Sequence, residues 1–398
     1  SQDNGDHVTS NIENLDTGKN FQITSKYLIA CDGGNSSIRK SSGIKMGGRG
    51  PWRSNVSYYF RSPDFLTMHG KGLGNLYFIF APDSFGVFTA IDGQELWNYQ
   101  LYFLDPKQEA QKIDPKEVLH KAMGHPFEFK LLATTHWQHH QSVAADWRHG
   151  NVFLAGDSAH LFAPTGGVGM NTGIADACDL SWKLDAILSG WGGKKLLDSY
   201  EKERRPVAWR NSQRSMTNSD TIDFVMSQVP KQIEDETSEG IELRERLKEN
   251  IRWMARQFNS AGSHLGHRYF SSPIIIPDGT PEPPDDLSQV IQSTWPGSRA
   301  PHVWLTDGTS TIDWFGKGFI LYSTPTKIEA AKSIGAGFIK NNVPISLITS
   351  DLPNVQEIYE FPLVLIRPDG HVAWRGKTPP ENSTNLALQV TGRSASDK

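Results

Sequence analysis

The sequence predicts a protein of mixed class, α/β and α+β, built from several domains. Three observations predict it. A short apolar strand, Val152 to Ala155, runs through a glycine-rich loop into an amphipathic helix, which is the outline of an α/β unit. Alternating runs between residues 56 and 104 make an antiparallel meander. After residue 301, four apolar strand patterns and an intervening helix make a second, smaller α/β unit. At 398 residues the chain exceeds one ordinary domain, and 37% hydrophobic with 21% charged residues is a globular composition. A net charge of −4 without a basic run excludes a nucleic-acid footprint. No stretch has the length of a membrane span, and no signal peptide pattern precedes the first strand, so a cytoplasmic protein without a membrane partner is expected. Cys31 and Cys178 lie in apolar surroundings and read as reduced core residues.

From the N-terminus, Val8 to Ile12 and Phe21 to Ile23 flank an Asp16-Thr17-Gly18-Lys19 turn and read as a β-hairpin. Tyr27 to Ala30 is a buried strand running into Cys31-Asp32-Gly33-Gly34. Residues 1–50 thus read as part of a domain already under way. Residues 51–145 form a β-sheet domain from Leu76 to Phe80, Gly86 to Ile91, Glu95 to Leu104 and Thr134 to Ala144. In its third run, Leu96, Asn98, Gln100 and Tyr102 share one face, and Trp97, Tyr99, Leu101 and Phe103 the other. That second face suits either an ordinary core or a flat ligand, which makes Trp97, Tyr99 and Phe103 candidate substrate residues.

Residues 146–276 return to the first domain. Ile174, Ala177, Leu180, Leu184 and Ile187 keep helical spacing, with Asp179 and Lys183 pairing at i,i+4 on the wet side. Gly190 and Gly192-Gly193 end that helix, a second begins at Leu196, and Arg205-Pro206 marks a break. Residues 240–258 form a charged amphipathic helix, and residues 277–300 a proline-rich linker. In residues 301–398, Gly318 to Ser323, Ile345 to Thr349, Phe361 to Ile366 and Val372 to Arg375 are strands. A helix lies around Lys327 to Ala336, and Arg367-Pro368-Asp369-Gly370 is a turn.

The chemistry concentrates between Gly156 and Asn171. A carboxylate at the end of an apolar strand, Asp157, accepts hydrogen bonds from sugar or polyol hydroxyls and repels phosphate; a capping or turn aspartate is the plainer alternative. Gly166-Gly167-Val168-Gly169 removes Cβ atoms where a ligand approaches. The amides from Gly167 to Asn171 sit at the positive end of the helix dipole and stabilise negative charge. His136, His139 and His140 fall on opposite strand faces, so no metal is expected. His160 reads as a packing residue rather than a base.

These residues resemble the ribose-binding segment of the FAD-dependent aromatic hydroxylases, the class A flavoprotein monooxygenases. The match runs through Gly156, Asp157, Ala159, His160, Pro164, Gly167, Gly169, Asn171, Gly173, Asp176, Ala177, Leu180, Trp182, Lys183 and Leu184. A second family signature appears as Cys31-Asp32-Gly33, Ser36 or Ser37, and Arg39. Leu197 to Tyr200, Glu203 to Pro206 and Leu265 to Tyr269 continue it. Pro296 to His302 resembles the start of the thioredoxin-like domain of the phenol hydroxylase branch, although no Cys-x-x-Cys follows. The resemblance implies a para-hydroxybenzoate-hydroxylase-like FAD-binding fold, a β-sheet substrate domain and a thioredoxin-like C-terminal domain.

It further implies FAD and NAD(P)H as cofactors, with a small aromatic substrate, dioxygen and a second copy in a homodimer as partners. Asp157 would hold the ribityl chain. The amides near Gly169, Met170 and Asn171 would face the N1/C2 edge of the flavin ring, with Pro164 beside it and Gly156, Gly167 and Val168 also binding the cofactor. Asp32 and Arg39 would lie near the pyrophosphate and the nicotinamide. In the family, reduced flavin and dioxygen give a C4a-hydroperoxide that hydroxylates a phenolic or polyketide-like ring. The family's opening Gly-x-Gly-x-x-Gly unit has no match here, so an N-terminally truncated chain with weak FAD binding is expected. The alternatives are a non-catalytic remnant, or Baeyer–Villiger-type oxygen insertion by the same cofactor.

Overall fold

The computed structural model describes residues 1–82, 84–102 and 113–394. β1 (Gln2–Asp3), β2 (Val8–Glu13) and β3 (Asn20–Ser25) form an antiparallel sheet, with Val8 opposite Ser25 and Glu13 opposite Asn20. β4 (Leu28–Ala30) leads through the Cys31 to Gly34 loop into the short α1 (Ser37–Ser41). The long β5 (Met46–Arg61) then enters a six-stranded sheet. It is followed by α2 (Phe65–His69), β6 (Leu76–Ile79), β7 (Gly86–Ala90), β8 (Leu96–Tyr102), α3 (Pro115–Met123) and β9 (Lys130–Ala144). One face of this sheet is closed by an aromatic core of Tyr58, Phe60, Phe65, Phe88, Trp97 and Tyr99.

The chain returns through β10 (Arg148–His149) and β11 (Val152–Leu154), and β11 pairs in parallel with β4. β12 (His160–Leu161) then joins the edge of the large sheet against β9, giving the order β12-β9-β5-β8-β7-β6. This exchange couples the two sheets at the point where the glycine-rich loop begins. Four helices follow: α4 (Val168–Leu188), α5 (Lys194–Ser227), α6 (Ser238–Met254) and α7 (Ala261–Leu265).

The break expected at Pro206 does not occur. α5 runs for 34 residues with the proline inside it. Proline's fixed φ is compatible with a helix, and the lost N–H bond is offset where neighbouring side chains are packed. Here Glu203, Arg204, Val207 and Ala208 are all buried.

The C-terminal unit comprises β13 (Phe319–Ser323), α8 (Ile328–Lys340), β14 (Ile345–Thr349), α9 (Pro353–Tyr359), β15 (Leu363–Ile366), β16 (Val372–Gly376) and α10 (Ser383–Val390). Its order β14-β13-β15-β16, parallel between β13 and β14 and antiparallel elsewhere, is the thioredoxin arrangement. Trp182 and Trp191 share one core with its Phe319, Leu321, Ile334 and Phe338, so the unit is fused to α4 rather than tethered. The proline-rich stretch is strapped down as well. Arg268 bonds Glu282 at 2.8 Å, and Arg375 bonds Asp278 at 2.6 Å. Among the described residues no helix is long and apolar enough to cross a membrane.

Candidate functional site

β4 and β11 are parallel, so the loops after them leave the same end of the sheet. That is where α/β proteins place ligands. After β11 the chain turns through Gly156, at φ 60°, into a single 3₁₀ turn, Gly156–Ser158. Ser158 Oγ donates to the Ala30 carbonyl at 2.6 Å, which ties this turn to β4. Asp157 is exposed at the turn, and among the described residues its carboxylate has no hydrogen-bond or ionic partner.

The turn is held against α4 by Asp176, which sequence reasoning treated only as part of the motif. Asp176 accepts from the Gly156 N–H at 3.2 Å, from His160 Nε2 at 2.7 Å and from Arg204 Nε at 2.9 Å. Burial alone would raise its pKa, but Arg204 and His160 outweigh that and hold it below the usual carboxylate range. Gly173 makes the contact close, since a Cβ there would lie 3.1 Å from the Gly156 Cα. His160 is therefore a packed structural residue, stacked on Phe162.

α4 starts with Gly167 at the N-cap, φ 64°, and no side chain caps it. The first-turn amides of Val168, Gly169 and Met170 have no intrahelical acceptors. No acidic side chain sits in that turn, and Asn171 Nδ2 bonds back to the Gly167 carbonyl at 2.9 Å. The partial positive charge of a 21-residue helix is thus left open, and the Asp157 carboxylate on the turn packed against the same helix is unpaired.

Pro164, Gly166 and Gly167 also form one wall of a cavity of about 340 Å³. Its other walls come from β6–β8, from Ile222 of α5, and from Gln257 and Phe258 after α6. Gln100 and Tyr102 face it, and burial pushes the Tyr102 hydroxyl up to about 12, so it stays protonated.

Several expectations are corrected. Trp97 and Tyr99 are fully buried on the opposite face of β8, in the aromatic core, with the Tyr99 hydroxyl donating to the Ser84 carbonyl at 2.7 Å. Strand alternation separates the two faces but does not tell core from cavity. Phe103 lies outside the described residues. Arg39 is buried and turned inward, donating to the Ser158 carbonyl at 2.9 Å and to that of Gly34 at 3.0 Å. It braces the two loops and presents no guanidinium to a phosphate. Asp32 stays exposed at the sheet end, accepting from the Ile38 N–H at 3.2 Å. Cys31 and Cys178 are free but exposed, not core. Asp179 and Lys183 do pair, at 2.6 Å, yet both are buried.

With the geometry in place, comparison with known proteins is decisive. A family model described as "FAD binding domain" matches residues 1–215, and one described as "Aromatic-ring hydroxylase, C-terminal" matches residues 293–393. The chain belongs to the FAD-dependent aromatic-ring hydroxylases. It is 32% identical over 410 residues to the FAD-dependent monooxygenase opdD of Penicillium oxalicum, covering 97% of this chain and 78% of the relative. It is 28% identical to 2,4-dichlorophenol 6-monooxygenase of Delftia acidovorans, covering 94% and 71%. Among solved structures, the rebeccamycin biosynthetic enzyme RebC with reduced flavin superposes with a TM-score of 0.90 at 34% identity, covering 99% of this chain and 73% of that one.

The cofactor of this hydroxylase family is FAD, and the residues present fit it. An unpaired carboxylate suits ribityl hydroxyls, uncapped amides suit an electron-rich ring edge, and Gly166 and Gly167 leave the approach open. Among the described residues no group of His, Cys, Asp and Glu could hold a metal ion.

Proposed function

We propose that the protein hydroxylates a small phenolic or polyketide-like aromatic substrate lodged in the 340 Å³ cavity, using dioxygen and NAD(P)H. One observation carries this reading: the loop Pro164–Gly167 is at once a cavity wall and the approach to the uncapped end of α4. Asp157 would accept hydrogen bonds from the ribityl hydroxyls, and the amides of Val168 to Asn171 would stabilise negative charge on the ring edge as an oxyanion hole does. Asp32, exposed at the same sheet end, would face the remainder of the cofactor. Bound there, FAD supplies the activation of dioxygen with electrons from NAD(P)H.

The chain's own contribution is position and dryness. Leu76, Phe78, Val87 and Ile222 line the cavity and exclude water from the reacting ring. The protonated Tyr102 hydroxyl can orient a polar substituent. The overall balance is ArH + O₂ + NAD(P)H + H⁺ giving ArOH + NAD(P)⁺ + H₂O. Turnover of a phenol and naphthol panel under ¹⁸O₂ tests it. Product carrying one ¹⁸O atom is expected, and product labelled from water instead would overturn the proposal.

A further inference from the structure

The cavity carries a recognition element that the family comparison does not assign. Gln257 is 5% exposed, lines the cavity, and its Nε2 has no hydrogen-bond partner. Buried amide donors are nearly always paired, so an orphan in a cavity wall marks a place where a ligand acceptor completes the bonding. A second orphan donor lies close by. Asn218 Nδ2 is unpartnered and 2.6 Å from where a Cβ on Gly166 would stand. Gly166 is itself a cavity-lining residue. Two amides thus flank the glycine loop.

Charge is the other half of the argument. Among the described residues, no Lys, Arg, Asp or Glu lines this cavity. Arg53, the cation whose field reaches Tyr102, is already committed to an ion pair with Asp223. With the flavin edge taking the open end of α4, a carboxylate entering these walls would lose its water and meet no charged side chain, which is strongly unfavourable. An uncharged ring bearing a carbonyl or phenolic oxygen would gain the missing bond instead.

We infer that Gln257 is a specificity-determining residue that donates from Nε2 to an edge oxygen of an uncharged aromatic substrate, and that carboxylated rings are rejected. The inference rests on the cavity being the substrate site. Four probes on one ring system separate the terms: naphthalene, 1,4-naphthoquinone, 2-naphthol and 2-naphthoate, each titrated calorimetrically into the FAD-loaded protein. Naphthoquinone and naphthol should bind about tenfold tighter than naphthalene, the size of one satisfied buried hydrogen bond, and naphthoate no tighter than naphthalene. Gln257→Leu should remove that tenfold advantage without weakening naphthalene, whose retained binding also reports an intact fold. Gln257→Glu, which keeps the shape but accepts instead of donating, should penalise the quinone more than the naphthol. An undiminished quinone advantage in Gln257→Leu, or naphthoate as the tightest wild-type ligand, overturns the inference. Thr89→Phe fills the cavity and should abolish binding of all four probes. Unchanged binding in that variant would instead bring down the cavity as the substrate site, so the two failures are distinguishable.

Discussion

The two halves of α4 are opposites. Its N-terminal end is bare: the Val168, Gly169 and Met170 amides are uncapped, and Met170 and Ile174 are 74% and 54% exposed. Further along the same helix, Asp176, Asp179 and Lys183 are buried and each has an ionic partner, while Asp185 stays exposed. Lys183 Nζ lies 2.6 Å from both Asp179 and Glu203. Arg367, from the turn between β15 and β16, reaches Glu203 at 2.7 Å and Asp179 at 3.1 Å, pairs with Asp369, and lies over the Trp182 ring at 5.1 Å. The helix has an open end and an anchored end. A site that must hold unsatisfied groups in fixed positions needs a scaffold that does not yield, and the thioredoxin-like unit supplies it through Arg367.

Removing the anchor should have the largest effect. Arg367→Ala leaves Glu203, Asp179 and Asp369 buried without their guanidinium, a loss of about 3–5 kcal/mol of stability in chemical denaturation. A loss under about 1 kcal/mol would mean that the anchored end is not anchored by charge.

A smaller effect is expected from pH. Among the described residues of this cluster, Asp176, Asp179, Glu203 and Asp369 face only three strong cations, Lys183, Arg204 and Arg367. One acid therefore keeps its proton. Burial, with Glu203 and Asp369 alongside, pushes Asp179 up to about 8, against the pull of Lys183 and Arg367. The folded protein then holds a proton that the unfolded chain releases above the ordinary aspartate range. That stabilisation is complete at low pH and is lost as pH rises toward 8. Glu203 runs the other way, held at about 2 by Arg367 and Lys183 despite burial, and its contribution fades only in acid. Melting temperature measured between pH 7 and 9, above the range in which the buried His139, His267 and His371 titrate in the unfolded chain, should fall with rising pH, and Asp179→Asn should flatten that slope. An equal slope in the variant would show that another group holds the proton.

How much of this was legible in the sequence differs between the two ends. The open end was readable as structure, because its signals are local. The strand Val152 to Ala155, the turn at Gly156-Asp157 and the glycines before Val168 all lie within one stretch, and each appears where it was expected. The anchored end was misread as a wet face. Helical spacing pointed to Ile174 and Ala177 as core, whereas the buried stripe runs through Thr172, Asp176, Asp179 and Lys183. The stripe becomes buried only because Glu203, Arg204 and Arg367 arrive from distant positions with complementary charge, which periodicity cannot report. The aromatic face of β8 failed for a related reason. Alternation named both faces, but the packing of Phe65 and Phe88 decided which one became core.

The central claim is that α4 binds with one end and is held by the other. FAD titrated into the wild-type protein and Asp157→Ala, followed by flavin fluorescence with melting curves recorded in parallel, tests it directly. The account predicts an affinity at least about tenfold weaker in the variant, with stability within about 0.5 kcal/mol, as for any exposed and unpaired side chain. Unchanged FAD affinity, or a large loss of stability, would contradict it.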